Sequence, residues 1–259
     1  MNQSTAICTL GMIPMRGDPK HKSEMVSMLL FGDVFTVMES LDHWHLVKSR
    51  HDHYEGWVYS RLLHLVDGEF LKKYDTEKPV YSGEILSTAQ NGDKSYYMSY
   101  GSRLPLFDGT HLYLGDEKVE YSREIISQKG KTDPDELIKI AKKYLHTPYL
   151  WGGRSLLGID CSGFTQMVFE LNGVVLPRDA SQQVEKGQSV ESLKVAKAGD
   201  LAFFSESGHT MTHVGILTGD GHIIHASDQV RIDKIDDKGI FSGEIKSYTL
   251  KPSLIKRYF

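Results

Sequence analysis

The stretch Gly158-Ile159-Asp160-Cys161-Ser162-Gly163-Phe164 holds one of the two cysteines in this chain of 259 residues. From this stretch onward, apolar residues recur at Phe164, Val168 and Leu171, which is the spacing of one buried face of an amphipathic helix. The pattern therefore predicts a helix with Cys161 in its first turn. At such a position we expect an exposed sulfur that faces backbone N–H groups, and the helix dipole favours the nucleophilic thiolate.

Two histidines downstream are candidates for the base that a thiol nucleophile requires. His213 and His225 each lie in a strand-like run, and Thr218-Gly219-Asp220-Gly221 between them is a natural hairpin turn. Two paired strands would present both imidazoles on one face. The alternative is a buried cysteine that only packs, together with histidines that serve the core or the surface.

Composition and charge restrict the class of protein. The 30 basic and 34 acidic residues give a net charge of −4 without a long basic run, which argues against nucleic acid as the main partner. The sequence contains no run of 18 apolar residues, so it predicts no membrane-spanning helix. Residues 1–8 lack the features of a signal peptide, which leaves two alternatives: a cytoplasmic protein, or a secreted or envelope protein whose signal has been removed. Two cysteines do not make a disulfide framework.

Three segments with different patterns follow one another along the chain. Strand-like runs at 6–12, 34–39, 44–49 and 56–59 predict a small β-barrel over residues 1–65. Runs at 80–85, 94–100, 104–106 and 111–114 predict a second barrel over residues 66–130. Asp133-Pro134-Asp135-Glu136 then starts a helix, and strand-like runs at 201–204, 213–217, 222–226 and 246–250 follow the helices. Residues 131–259 are therefore predicted to form an α+β domain.

Several of these motifs together resemble the NlpC/P60 family of cysteine peptidases. The resemblance covers roughly residues 133–259, and its motifs are Asp160-Cys161-Ser162-Gly163-Phe164, Gly199-Asp200-Leu201, His213-Val214-Gly215-Ile216 and His225-Ala226. Residues 1–65 resemble a bacterial SH3 (SH3b) domain, with Leu29-Leu30-Phe31-Gly32-Asp33 and Tyr54-Glu55-Gly56-Trp57-Val58. The resemblance implies a papain-like α+β catalytic domain preceded by two SH3b-like β-barrels.

The family resemblance also implies catalytic roles. Cys161 would be the nucleophile, His213 the general base and acid, and His225 the group that orients His213. Tyr149, in Thr147-Pro148-Tyr149-Leu150-Trp151, matches the tyrosine upstream of the nucleophile. Its hydroxyl would stabilise the oxyanion together with the backbone N–H of Cys161. No cofactor is implied, and we expect a monomer.

The combination of SH3b domains and this catalytic domain resembles the γ-D-glutamyl-L-diamino acid endopeptidases of the family. These enzymes cut peptidoglycan stem peptides between D-Glu and the diamino acid, and they prefer a free N-terminal L-Ala because the first SH3b domain closes one end of the cleft. The implied substrate-binding residues are Glu24, Tyr59 and Asp179 at the closed end, with Asp160 and Ser162 lining the cleft. The alternatives are a solvated surface charge for Glu24 and a helix N-cap for Asp179.

Three rival interpretations remain. A metal site is suggested by His43-Trp44-His45, His51-Asp52-His53 and His209-x-x-x-His213, but the last motif lacks the glutamate of His-Glu-x-x-His. We therefore expect no metal. The other two rivals are a cell-wall-binding SH3b protein without catalysis and a relative that transfers amides. Labelling of Cys161 by iodoacetamide and hydrolysis assays with added amines would separate these possibilities.

Overall fold

The computed structural model describes residues 4–128, 130, 132–205 and 210–259. The chain divides into two compact units. The first contains the residues up to Gln128 together with Arg154–Leu156, and the second contains the stretch that ends at Gly153 together with Leu157–Phe259. Within the described ranges, no helix is both long enough and apolar enough to span a membrane.

The N-terminal half of the first unit is an antiparallel sheet. Its strands are β1 (Thr5–Ile7), β2 (Met12–Arg16), β3 (Met25–Leu30), β4 (Val34–Leu41), β5 (Trp44–Ser49), β6 (Glu55–Tyr59) and β7 (His64–Val66), with a 3₁₀ turn at Ser60–Leu62. The strand order is β3-β2-β6-β5-β4-β1-β7. Alternate residues of these strands face inward, so that Ile13, Phe35 and Val47 form part of a buried core.

The rest of the first unit begins with a helix. Its elements are α1 (Gly68–Thr76), β8 (Val80–Ser82), β9 (Leu86–Asn91), β10 (Lys94–Ser99), β11 (His111–Leu114), β12 (Glu117–Glu120), β13 (Ile125–Ser127) and β14 (Arg154–Ser155). The strands form one sheet in the order β10-β9-β12-β11 and a pair β13-β8. Ile7 of β1 and Phe31, which follows β3, pack in the same core as Tyr96 and Leu112. The boundary at residue 65 and a second SH3b-like barrel remain predictions.

Helices precede an antiparallel sheet in the second unit, as expected for an α+β domain. The elements are α2 (Pro134–Lys143), β15 (Gly158–Ile159), α3 (Cys161–Leu171), α4 (Ala180–Gln183), β16 (Gln188–Ser189), β17 (Leu201–Phe204), β18 (His213–Leu217), β19 (His222–Ala226), β20 (Val230–Asp236), β21 (Gly239–Ser242), β22 (Ser247–Tyr248) and β23 (Pro252–Arg257). The strand order is β16-β23-β17-β18-β19-β20-β21-β22.

Helix α3 is the buried centre of the second unit. All of its residues from Cys161 to Leu171 are buried, and it packs against α2 and against strands β18 and β19. The ring of Phe164 meets that of Tyr144, which caps the end of α2, with 5.8 Å between their centroids. Because α3 is buried on every side, it holds its first residue in a fixed position beside the sheet.

Candidate active site

The N-terminus of α3 positions Cys161. Asp160 is the N-cap, and its Oδ1 accepts a hydrogen bond of 2.7 Å from the backbone N–H of Gly163. A Cβ on Gly163 would lie only 2.2 Å from the carbonyl oxygen of Gly153. The start of the helix therefore approaches the preceding loop more closely than any residue with a side chain would allow.

A buried arginine anchors both neighbours of the cysteine. Nη1 and Nη2 of Arg178 lie 3.0 and 2.5 Å from the two carboxylate oxygens of Asp160, and Nη1 donates to Ser162 Oγ at 2.9 Å. Asp160 Oδ2 also accepts from the N–H of Gly152 at 2.8 Å. Asp160 and Ser162 thus hold α3 in place, and their role in lining the cleft remains a prediction. Arg178 was absent from the residues proposed from the sequence.

Cys161 is more enclosed than the sequence predicted. Only 6% of the residue is exposed, and its thiol donates to the carbonyl oxygen of Thr212 at 3.9 Å. Burial, followed by the charge of Asp160, raises the pKa of Cys161 to about 12, although the N–H groups of Val214 and Ser162 act in the opposite direction. The prediction of an exposed thiolate is therefore wrong for this structure. The effect of desolvation on the pKa of Cys161 is larger than that of the N–H groups at the helix terminus.

The two histidines lie on neighbouring strands and on one face of the sheet. Gly215 of β18 pairs directly with His225 of β19, and His213 lies two residues before Gly215 on the same face. The Nε2 of His213 is 2.9 Å from the Nδ1 of His225. A Cβ on Gly215 would lie 2.8 Å from that of His225, so glycine lets the strands bring the two rings together.

His213 and His225 are connected to two further charged residues. Burial, then the neighbouring His225 and Arg231, lower the pKa of His213 to about 3, so its imidazole is neutral near pH 7. His225 is 3% exposed, and its Nε2 lies 3.0 Å from Asp233 Oδ2. Asp233 was not predicted from the sequence; its one signal there is the alternation of charged and apolar residues in Val230-Arg231-Ile232-Asp233.

Tyr149 is held close to the segment that carries the nucleophile. Its backbone N–H donates to the carbonyl of Asp228 at 2.9 Å, and it forms a parallel bridge with Ile159. Burial, then the nearby Cys161 and Asp160, raise the pKa of Tyr149 above its ordinary value. The hydroxyl therefore keeps its proton and can donate a hydrogen bond.

The remaining proposed substrate residues occupy different parts of the chain. Asp179 is the N-cap of α4 and forms a capping box with Gln182, so the N-cap alternative describes its local role. Glu24 is exposed immediately before β3 of the first unit. Tyr59 ends β6, and its ring lies 5.5 Å from that of Trp44 and 5.2 Å from that of His21. A substrate-binding role for these three residues remains a prediction.

The histidine motifs that suggested a metal have other partners. His45 Nδ1 lies 2.7 Å from Ser40 Oγ, and His51 Nδ1 lies 2.8 Å from Ser49 Oγ. In the part of the chain that the structure describes, no three His, Cys, Asp or Glu side chains form a group that would hold a metal ion. His209 lies outside the described residues.

Two known families match separate parts of the chain. Residues 146–245 match the NlpC/P60 family. Residues 15–63 match the bacterial dipeptidyl-peptidase SH3 domain. The first match contains Cys161, His213 and His225, and the second contains Glu24 and Tyr59.

Similar proteins are known over most of the chain. A γ-D-glutamyl-L-lysine dipeptidyl-peptidase of Bacillus subtilis (strain 168) is 31% identical over 225 residues, which cover 77% of this chain and 71% of that protein. Dipeptidyl-peptidase 6 of Lysinibacillus sphaericus is 35% identical over 262 residues, with 90% and 92% covered. The crystal structure of an NlpC/P60 family protein from Bacillus cereus has a TM-score of 0.82 at 23% identity, covering 98% of this chain and 99% of that one.

Proposed function

The chain belongs to the NlpC/P60 family of peptidases, and from that premise we propose that it hydrolyses the γ-D-glutamyl–L-diamino acid bond of peptidoglycan stem peptides. The reaction proceeds through a thioester on Cys161. The substrate carries a free N-terminal L-Ala. The name of the Bacillus subtilis relative, a γ-D-glutamyl-L-lysine dipeptidyl-peptidase, supports this bond, and the Lysinibacillus sphaericus relative is also named a dipeptidyl-peptidase.

The hydrogen bond between the two histidines is the observation that carries the mechanism. It occupies Nε2 of His213 and leaves Nδ1 of the same ring as the base. The thiol of Cys161 bonds the carbonyl of Thr212, the residue directly before His213. Nδ1 takes the thiol proton, the sulfur attacks the carbonyl carbon of D-Glu, and Nδ1 returns the proton to the departing amine. Water then attacks the thioester: Nδ1 takes a proton from the water and returns it to the sulfur of Cys161 as the thioester bond breaks.

The protonation states of the resting site determine when the proton moves. With a thiol pKa of about 12 and a pKa of about 3 for His213, both groups are neutral before substrate binds. Proton transfer therefore accompanies the attack on the carbonyl rather than preceding it. The backbone N–H of Cys161 belongs to the first turn of α3, where N–H groups lack intrahelical partners. With the Tyr149 hydroxyl, it is a donor for the oxyanion.

We expect the purified chain to release L-Ala-D-Glu from free-amine stem peptides, with mass spectrometry as the measurement. Cys161→Ala should lower the rate by at least about 10³-fold, because no other group replaces the nucleophile. Cys8→Ala is the matched control and should retain cleavage, because Cys8 is a core residue of the first unit. Peptides with lysine and with diaminopimelate should be compared in parallel.

Three results would contradict the proposal. Cleavage retained by the Cys161→Ala variant would exclude the thioester. A wild-type protein whose Cys161 does not react with iodoacetamide and which cleaves no stem peptide would indicate a binding protein. Amide products in the presence of added amines, without hydrolysis, would indicate a transferase.

A further inference from the structure

A carboxylate on the strand next to His225 extends the hydrogen-bonded series of the site. Asp233 Oδ2 lies 3.0 Å from His225 Nε2 and also accepts from Arg231 Nε at 2.8 Å. Strand pairing fixes this contact, because β20 lies beside β19 with His225 opposite Arg231 and Ile223 opposite Asp233. The series therefore runs from His213 through His225 to Asp233, entirely within the second unit.

When both rings are neutral, the series permits two arrangements of protons. In one, Nε2 of both histidines carries the proton, so that His225 donates to Asp233, His213 donates to His225, and Nδ1 of His213 is a free acceptor. In the other, Nδ1 of both rings carries the proton, and His213 cannot take a proton from the thiol at that nitrogen. An ionised carboxylate accepts hydrogen bonds and never donates them, so Asp233 is compatible only with the first arrangement.

The surroundings keep Asp233 ionised and fixed. Burial raises the pKa of Asp233, but the hydrogen bond from His225 and the charge of Arg231 outweigh it, and the pKa lies below its ordinary value. Arg231 is itself anchored, because its Nη1 lies 3.4 Å from Asp228 and 3.3 Å from Glu244. Without the carboxylate, Arg231 would be a donor next to His225 Nε2 and would favour the second arrangement.

We propose that Asp233 is a positioning residue that selects the protonated nitrogens of His225 and His213 and thereby leaves Nδ1 of His213 free to accept the thiol proton. This inference rests on the proposed function for the role of His213 as the base. It adds a fourth member to the Cys161, His213 and His225 set, one that acts through His225 and does not touch the substrate.

The proposal predicts different catalytic rates for the Asp233→Asn and Asp233→Ala variants. We expect Asp233→Ala to lower kcat about 100-fold with KM nearly unchanged, since the lost acceptor affects proton transfer and not binding. Asp233→Asn should stay within about 10-fold of wild type, because the donor on Arg231 makes the amide present its oxygen at the same place. Asp236→Ala is the matched control: Asp236 ends the same strand, is exposed, and should leave kcat unchanged.

Alkylation of Cys161 by iodoacetamide at pH 7 provides a readout that does not depend on the substrate. Mass spectrometry of the labelled peptide separates Cys161 from Cys8. Slow alkylation in Asp233→Ala and near-normal alkylation in Asp233→Asn would support the proposal. Wild-type alkylation in Asp233→Ala, or equal losses in both variants, would overturn it. Asp233→Val, which also removes the acceptor but fills the space that alanine leaves, replaces Asp233→Ala if that variant does not fold.

The two assays also separate this inference from the proposed function. If wild-type Cys161 reacts with iodoacetamide but the protein cleaves no stem peptide, the substrate assignment fails. The alkylation rates of the Asp233 variants would then still decide whether the carboxylate controls the base. If the wild type cleaves stem peptides and Asp233→Ala matches it in both assays, only the role of Asp233 fails.

Discussion

Cys161 and His213 are held in their neutral forms by the same cause. Cys161 is buried and His213 is partly buried. Desolvation disfavours the charged state of either group, so it raises the pKa of the thiol and lowers that of the imidazole. Burial therefore disfavours a thiolate–imidazolium pair in the resting site. In the proposed mechanism, the substrate supplies part of the stabilisation, through the negative charge that develops on its carbonyl oxygen beside the proposed donors at α3 and Tyr149.

The lowered pKa of His213 predicts how stability depends on pH. The ordinary value is 6.5 and the folded value is about 3, so the unfolded chain binds more protons between these values. The free energy of unfolding contributed by neutral His213 is present above pH 6.5 and is lost as the pH falls toward 3. His213→Gln removes this titration. The stability of the wild type relative to the variant should therefore decrease between pH 6.5 and 4, measured by urea unfolding.

Parallel pH profiles for the wild type and His213→Gln would contradict this prediction. They would mean that His213 titrates alike in the folded and unfolded chains and that its burial has no effect on protonation. A wild type that becomes more stable relative to His213→Gln as the pH falls would also contradict it. Because both proteins share every carboxyl group, acid effects on those groups cancel in the comparison.

Single residues differed in how well the sequence revealed them. Cys161, His213 and His225 stand in motifs whose neighbours also indicate a helix start or a strand. Arg178 and Asp233 do not, because their importance depends on which strand or loop lies beside them. Asp233 meets His225 only through the register of β19 and β20, and that register is set by the whole sheet.

At the scale of elements, the two N-caps of α2 and α3 show how context changes the value of one interaction. Asp133 caps α2 with a 3.0 Å bond from the N–H of Asp135 in an exposed setting. Asp160 caps α3 but also carries the buried ion pair with Arg178. Asp133 thus only caps α2, whereas Asp160 both caps α3 and pairs with a buried arginine in the core.

Alanine substitutions at these two caps should differ in stability. We expect Asp133→Ala to cost about 1 kcal/mol, the usual value for a lost N-cap. Asp160→Ala should cost about 3–5 kcal/mol, because it leaves the buried guanidinium of Arg178 without its carboxylate. Thermal and urea unfolding would measure both. Equal costs in the two variants would show that the Arg178 contact contributes nothing beyond the cap.

The sequence predicted elements with local signals better than those that depend on distant pairing. The start of α2 after Asp133, the start of α3 at Cys161 and the strands β17, β18 and β19 are confirmed. The predicted strand at 6–12 is instead divided between β1 and β2, which pair with different strands. Helix α1 was missed, because its nine residues begin with a glycine and lie between two strand-like runs.

At the scale of the whole molecule, the boundary between the two units does not follow the chain. Arg154–Leu156 belong to the first unit although residues on both sides belong to the second. Arg154 donates to Asp33 at 3.1 Å and to the carbonyl of Met28 at 3.0 Å, and it is buried. Composition can divide a chain only into contiguous segments. The sequence therefore predicted one domain at 131–259 and did not assign Arg154–Leu156 to the first unit.

The proposed preference for a free amine predicts a kinetic effect of residues in the first unit. If Glu24 and Tyr59 bind the ammonium group of L-Ala, then Glu24→Gln and Tyr59→Phe should each raise KM for free-amine peptides about 10-fold or more. This corresponds to the loss of one hydrogen bond to a charged group, about 1.5–3 kcal/mol. Peptides whose amine is acetylated or attached to muramic acid should be poor substrates for the wild type.

The variants and the blocked peptides together make this test specific. For a blocked peptide the amine no longer carries a charge, so Glu24→Gln should not reduce the remaining activity further. Glu39→Gln changes an exposed glutamate of β4 in the same unit and should leave KM unchanged for both substrates. A loss in kcat with KM unchanged, or an equal loss for free and blocked peptides, would mean that Glu24 does not bind the amine. Unchanged kinetics in both variants would mean that neither residue binds the amine, and a wild type that cleaves blocked peptides as fast as free ones would contradict the preference for a free amine.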